Sequence, residues 1–473
     1  MLLSQLLAPY DIFLPETHDR EIVHLCLSSR EVKPGALFFA YPGEKADGRD
    51  YIADAIKNGA VAIIAEAINS DSCRGDRLVA LVQDSVVIIY LNDVQQKIGP
   101  IAQMFYNYPA KNMQIIGVTG TSGKTSVTYI LAQILNHLGI SAVIMGTFGV
   151  GKPGESFLET GINTPDPISI QRYFVELKKQ GVQAVAMEVS SHALIQARTQ
   201  GLVFDAAVFT NLSQDHLDYH GNMEAYGLAK ERFLTQHEVK NAIFNLDDRW
   251  CQQLYERYKN TSLPCFSYSQ DTSQIQMENT QLIGQFNVQN ILAAVTCLLS
   301  LGYDEALIVA TLPKVRPVPG RLELVQKPGK PCCVIDYSHK PDALKKALIA
   351  VREFTQGKVY CVFGCGGNRD IGKRPLMAKI AEQYADEVYV TNDNPRYESA
   401  EKILQDIVQG FSSKAKVTII SDRAEAIKSI IMRAKEGDTI LIAGKGHEEY
   451  QLVGDKKIYF SDRKVAEEVL DIM

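Results

Sequence analysis

The stretch MQIIGVTGTSGKT (113–125), with the helix-period run behind it, constrains this chain more than any other feature. An apolar strand candidate ends at Gly120. Val127, Ile130, Leu131, Ile134, Leu135 and Leu138 then recur at helical spacing until Gly139 closes the run. A glycine-rich turn between strand and helix aims backbone N–H groups and a helix N-terminus at one point, which suits phosphate. In this reading Gly120, Thr121, Ser122 and Gly123 cradle a nucleoside triphosphate. Lys124 meets the β- and γ-phosphates, and the Thr125 hydroxyl ligates Mg²⁺. The spacing departs from the common Walker form, since Val118 stands five residues before Gly123.

The same alternation runs along the whole chain: an apolar β-rich run, a Gly/Asp/Asn cluster, then a helix-period segment. That pattern predicts α/β units with parallel sheets. Early strand candidates are GALFFAY (35–41), VAIIAE and SVVIIYL, with helices at DYIADAIKNGA and from Asp93 to Tyr106. Strands AVIMG, AVAMEVS, AAVFTNL and AIFNLD follow the phosphate loop. TLPKVRPVPGR then reads as a linker. Beyond it come CCVIDYSH, VYCVFGCGG, EVYVTNDNP, VTIISD and TILIAGKGHE. Four of these five run straight into a polar or glycine-rich cluster, where open α/β sheets bind ligands. At roughly 150 residues per domain, 473 residues suggest about three; we place them at 1–105, 106–322 and 323–473.

Charge and cysteine content narrow the classes further. Lys and Arg number 49 against 55 Asp and Glu, a formal charge of −6, which leaves no electrostatic footprint for nucleic acid or an anionic membrane. No apolar run is long enough to span a bilayer, and the Leu-rich start lacks a basic region and soon meets Asp11, Glu16 and Asp19. The 9 cysteines are scattered, without a CxxC pair, which predicts free thiols in a reducing cytoplasm.

Ten segments occur in a telling order: TGTSGKT, MEVSSH (187–192), FTNLSQDHLDYHG (209–221), the AK at 229–230, FNVQN (286–290), VPGR (318–321), DYSHKPDAL (336–344), GCGGNRDIGKRPLM (364–377), DNPR (393–396) and AGKGHEEYQ (443–451). Together they resemble the Mur ligase family over essentially the whole chain, least strongly in the first hundred residues. The resemblance implies three α/β domains: a uridine-binding N-terminal domain, a central P-loop parallel-sheet ATPase and a Rossmann-like C-terminal domain. It also implies an ATP-dependent amide ligase of peptidoglycan precursor synthesis, working in the cytoplasm as a monomer. The implied substrates are ATP, UDP-MurNAc-L-Ala-D-Glu and meso-diaminopimelate. The alternatives are an L-lysine-adding relative and a P-loop ATPase switch.

Residue by residue, the resemblance makes Glu188 and His216 the Mg²⁺ ligands beyond Thr125. It makes Lys230, which alone would read as a solvated helix residue, a carbamylated lysine that positions the metal. Asn287, Asn290 and Arg321 become adenine and phosphate contacts, and Asp336 a ribose or hinge contact. Ser29, with Arg30, and Glu44, Lys45 and Ala46 fall where the family grips uridine. Asn163, Thr164, Ser190, Gln196 and Arg198 match its muramoyl-peptide positions. In DNPR, Pro395 fixes a short turn bearing Asp393, Asn394 and Arg396, and a planar guanidinium suits a carboxylate. Arg396 and Arg374 would take the carboxylates of diaminopimelate and Asp393 and Glu448 its ammonium groups, with Gly444 allowing close backbone approach. The sequence departs from the family pattern at Ser28, Asn163, Lys340 and Asn368.

Overall fold

A computed structural model of the chain describes residues 1–44, 46–67, 80–83, 85–271, 282, 284–413 and 417–473. They form two compact units, 1–274 with 290–311, and 275–289 with 312–473. Three open sheets result, one within each of the segments 1–105, 106–322 and 323–473. The three-domain division stays our proposal. Among the described residues no helix is long and apolar enough to cross a membrane.

The first unit holds two of the sheets. The N-terminal one orders its strands His24–Cys26, Ala36–Ala40, Ala60–Glu66, Val86–Leu91 and Ala80–Gln83, all parallel except the last. Both faces of Ala36–Ala40 are buried, so its run is continuously apolar rather than alternating. Leu37 and Phe39 pack with Leu3, Ile98 and Ile101 on one face, while Phe38 packs with Ala55 and Ile63 on the other. The Glu66 carboxylate accepts the backbone N–H groups of Asp93 and Val94 at 2.7 and 2.8 Å. It thereby satisfies orphan donors at the start of helix Val94–Phe105.

The central sheet orders its strands Cys265–Tyr268, Ala242–Asn245, Ala206–Phe209, Gln114–Thr119, Ala184–Glu188, Ala142–Gly146 and Gly149–Gly151. Only the last pairing is antiparallel. The phosphate-loop strand therefore sits between strands that end at Glu188 and Phe209, and all three deliver polar residues to one edge. Helix Lys124–His137 is buried over most of its length, which fixes the loop before it.

In the second unit the order is Glu323–Val325, Cys332–Asp336, Thr439–Ala443, Val359–Phe363, Glu387–Val390 and Val417–Ile419, with only the first strand antiparallel. Arg423 and Asp462 form a wholly buried pair, with Nε–Oδ1 at 2.7 Å and Nη2–Oδ2 at 2.8 Å. Arg423 Nη2 also donates to the Ala443 carbonyl at 3.0 Å, so the end of that strand is tied to two helices. Strands His24–Cys26, Gly149–Gly151 and the pair Tyr450–Val453 with Lys456–Tyr459 were not foreseen; they are short or half exposed and lack a strong apolar signal.

Gly117 shows how tightly the central core is filled. A β-carbon there would overlap Phe233 Cζ and lie 2.8 Å from Phe204 Cε1. Gly117→Ala is expected to destabilise the chain by about 2 kcal/mol through overpacking, measured by urea unfolding. An unchanged midpoint would show that the two rings yield freely.

Candidate active site

Three groups of side chains gather at strand ends. The first surrounds the phosphate loop. A methyl on Gly120, at φ +144, would overlap Thr210 Oγ1, so only glycine fits at this crossing. The segment after strand Ala206–Phe209 braces the loop. Thr210 Oγ1 donates to the Ser122 carbonyl at 2.6 Å, and Ser122 N donates to Asn211 Oδ1 at 2.9 Å. Lys124 Nζ donates to the carbonyls of Gly120 and Thr121 at 2.9 and 3.1 Å, lying back across the loop it is expected to serve. Asn290 Oδ1 lies 2.8 Å from the point a Gly123 β-carbon would occupy, and Asn287 is buried one turn earlier on helix Gln285–Ser300.

Glu188 is 1% exposed at the end of its strand. Its Oε1 accepts the Thr125 hydroxyl at 2.9 Å and the Thr147 N–H at 2.8 Å, while its Oε2 is buried without a hydrogen-bond partner. An orphaned carboxylate oxygen in the interior is costly unless something neutralises it. Mg²⁺ is commonly held by one or two carboxylates with waters and phosphate oxygens, so Glu188 and the Thr125 hydroxyl fit it.

Lys230 reaches the same loop from helix Met223–Thr235, and His216 stands on the turn before Leu217–His220, 6.4 Å from the Tyr226 ring. Lys230 is buried rather than solvated. Its Nζ donates to the Gly120 carbonyl at 2.9 Å and lies 4.5 Å from the Tyr226 ring centroid. Burial, and then the Lys124 cation, hold this amine well below the ordinary lysine range. His216 is about half exposed, beside Asp215 and 4.9 Å from the His192 ring. Among the described residues no three His, Cys, Asp or Glu side chains converge on a single point. The structure thus joins Glu188 to Thr125 and brings Lys230 to the loop, with His216 on the turn beside Tyr226.

The second group continues from the first. Asn163 Nδ2 donates to Thr147 Oγ1 at 2.7 Å, and Thr164 Oγ1 donates to the Glu188 carbonyl at 2.9 Å. Arg198 reaches the Thr164 carbonyl at 2.8 Å and Gln196 Oε1 at 2.8 Å through Nε. Gln196 in turn donates to Glu44, and Ser190 caps helix Ser191–Ile195 beside Thr164. The expected peptide contacts and Glu44 are therefore one network. Ser29 is buried in a short turn, its carbonyl held by Asn58 at 2.9 Å, and Ala46 closes the turn at Gly43. Lys45 lies outside the described residues. Thr147 and Tyr219, which hydrogen-bonds Glu44, escaped sequence reasoning; a polar residue directly after the strand AVIMG was the available signal for Thr147.

The third group lies in the second unit. Asn394 Nδ2 donates to Glu448 Oε2 at 2.9 Å, and its Oδ1 accepts the buried Lys445 Nζ at 3.0 Å. The backbone of Gly444 lies against Asp393, because a methyl there would come within 2.6 Å of Asp393 Oδ2. Arg396 follows Pro395 at φ +54 and donates through Nη1 to the Gly367 carbonyl at 3.0 Å. A methyl on Gly367 would overlap the Pro395 carbonyl, so the glycine lets the two loops touch. Asp393, Asn394, Arg396, Gly444 and Glu448 are thus together.

Arg374 lies behind this cluster, its Nη2 donating to the Gly366 carbonyl at 3.4 Å. Its side chain is fully buried and makes a two-pronged pair with Glu398, both bonds at 2.7 Å, plus one to Asp406 at 2.8 Å. Its Nε is buried without a hydrogen-bond partner, and with the whole side chain inside the protein the guanidinium is not open to a ligand. Arg369, which sequence reasoning passed over, is exposed and flanks Gly366 together with Arg396. Arg321 lies over the Tyr337 ring at 4.6 Å. Asp336 accepts Leu322 N at 2.9 Å and Ser338 N at 2.8 Å. Cys365 packs against Met377, and burial pushes its thiol up to about 12.

Comparison with known proteins matches residues 21–106 to "Mur ligase family, catalytic domain", 118–281 to "Mur ligase middle domain" and 320–446 to "Mur ligase, glutamate ligase domain". A UDP-N-acetylmuramoyl-L-alanyl-D-glutamate--2,6-diaminopimelate ligase of Coxiella burnetii is 43% identical, with 99% of each chain covered. One from Haemophilus influenzae is 41% identical over 96% of this chain and 97% of its own. A solved structure of a ligase of that name superposes with a TM-score of 0.70 at 30% identity, covering 100% and 99% of the two chains.

Arg374→Met removes the cation between Glu398 and Asp406 and is expected to cost about 3 kcal/mol in urea unfolding. Arg374 is also the main cause that lowers Glu398 from 4.5 to about 2. A depressed folded-state pKa stabilises fully above the unfolded value and fades as pH falls through the folded one. Wild-type stability should therefore decline between about pH 4.5 and 2 through this pair, and the variant should lack that component.

Proposed function

The chain belongs to the Mur ligase family, and we propose that within it the chain joins meso-2,6-diaminopimelate to UDP-MurNAc-L-Ala-D-Glu at the expense of ATP. The product is the UDP-MurNAc tripeptide of peptidoglycan synthesis. Near-full-length identity to ligases of that name supports the reaction. The observation that carries the choice of amino acid is the Arg396 turn, with Arg369 beside it and Asp393, Asn394 and Glu448 around it. Meso-diaminopimelate ends in a carboxylate and an ammonium together, and this set complements both. The ammonium of a lysine side chain would meet a guanidinium instead.

The γ-carboxylate of the D-Glu residue attacks the γ-phosphorus of ATP, ADP leaves, and an acyl phosphate forms. The amine of diaminopimelate then attacks the acyl carbon, losing a proton, and inorganic phosphate departs as the amide closes. Two anions must meet in the first step, so cationic groups decide its rate. Lys124 would leave its loop carbonyls for the β- and γ-phosphates. The Thr164, Gln196 and Arg198 network would orient the peptide carboxylate. Mg²⁺, held by Glu188 and Thr125, would neutralise charge on the phosphates. Lys230, whose amine burial holds well below the ordinary lysine range, would take up CO₂ as a carbamate, its nitrogen losing a proton to solvent, and so become an anion near the loop. The nucleotide-linked substrates support a cytoplasmic reaction, carried out by a monomer.

Phosphate release and tripeptide formation, assayed with each amino acid in turn, test this. Diaminopimelate dependence is expected, and lysine serving equally well would overturn it. Arg396→Ala and Arg369→Ala should each raise the KM for diaminopimelate at least tenfold and leave the KM for ATP within about twofold. Equal effects on both substrates would contradict the assigned roles.

For Lys230, activity in buffer stripped of CO₂ should fall severalfold and return on adding bicarbonate. Indifference to CO₂ would remove the carbamate from the mechanism.

A further inference from the structure

The antiparallel pair Tyr450–Val453 and Lys456–Tyr459 is not part of the six-stranded sheet, and its outer strand is exposed throughout. A lone two-stranded hairpin is at best marginal in water. This one is stitched to the DNPR turn instead. Gln451 Nε2 donates to the Asp393 carbonyl at 3.0 Å, and Leu452 N donates to Asn394 Oδ1 at 2.9 Å. Arg396 N donates to the Leu452 carbonyl at 2.9 Å, Gly454 N donates to the Arg396 carbonyl at 2.7 Å, and the Tyr397 hydroxyl bonds Asp455.

Arg396 has φ +54, a left-handed conformation that costs a residue with a β-carbon roughly 1 kcal/mol. Both of its backbone groups bond the hairpin, one on each side of the strained residue. The hairpin thus holds Arg396 in the backbone state that sends its Nη1 to Gly367.

We propose that the 450–459 hairpin is a clamp that sets amino-acid specificity, and that Gln451, Tyr397 and Asp455 are positioning residues acting through Arg396. The proposal rests on the functional reading above and deepens it. None of the three needs to touch the amino acid. They fix the turn that does, and a loosened turn would widen the choice between a carboxylate-tipped and an ammonium-tipped substrate.

The test uses the full chain with Tyr397→Phe, Asp455→Ala, the double variant and Gln451→Ala. Tyr397 is 71% exposed, so loss of its hydroxyl leaves the core untouched. Two measurements are made: KM and kcat for all three substrates, with lysine as competitor, and amide hydrogen exchange at Arg396 and Gly454. The expected result is a rise of about fivefold in KM for diaminopimelate and a matching fall in its preference over lysine. KM for ATP and for the UDP-sugar peptide should stay within about twofold, and exchange at the two amides should quicken. The double variant should equal either single variant, because both remove one bond. A diaminopimelate-dependent wild type whose variants keep their KM and their exchange rates would overturn the clamp alone. A wild type indifferent to diaminopimelate would overturn the functional reading and the clamp with it.

Discussion

The Glu188 carboxylate is the interaction on which the catalytic half of the fold depends. One oxygen holds the first turn of the phosphate-loop helix through Thr125 and the end of strand Ala142–Gly146 through the Thr147 N–H. The residue's carbonyl holds Thr164, and Thr147 holds Asn163. Nucleotide and peptide positions are thereby referred to a single side chain that is almost wholly buried. The second oxygen is left without a partner, which would be a liability in a purely structural carboxylate. An oxygen so placed fits the Mg²⁺ proposed above. Gly146 shows the same design from the other side: a methyl there would overlap this carboxylate.

The second unit solves a different problem with similar means. Its site must present cations to a ligand and also keep Lys445 and Arg423 buried. The first of these is met by Asn394, which accepts from Lys445 at 3.0 Å and donates to Glu448, and by Glu448 itself, which pairs directly with Lys445 at 3.3 Å. Asp462 meets the second by pairing with Arg423 on two bonds. Charge is thus neutralised inside and left available only at the strand ends. Such a site has little freedom to rearrange, which is the condition for discriminating ligands that differ at one terminal group.

The phosphate loop, the sheet type and the DNPR cluster were legible in the sequence because each is a local pattern with a local physical cause. A strand, a glycine turn and a helix start are contiguous in 113–138, and proline fixes its turn without help from elsewhere. The state of Lys230 was not legible. EAYGLAKERF carries helix-surface chemistry on its face, and only the tertiary fold turns that lysine inward over Tyr226. The hairpin at 450–459 was missed for the reverse reason. Its strands are polar and exposed, so no apolar alternation marks them, although the Gly454–Asp455 pair is a turn signal.

Arg369 and Arg374 show where one-dimensional reading stops. They are five residues apart in one glycine-rich segment, and both are chemically able to bind a carboxylate. The helix Lys373–Tyr384 begins between them. Arg374 falls on its inner face, where Glu398 and Asp406 take up its donors, while Arg369 stays on the exposed loop near Arg396. The buried arginine still serves the site, because Glu398 also accepts the Asn368 N–H at 3.0 Å and donates its own N–H to the Pro395 carbonyl at 3.1 Å. A guanidinium whose own partners are already inside the protein can shape a binding site without belonging to it. Which of two arginines is open to a ligand and which one braces the loop is decided by burial.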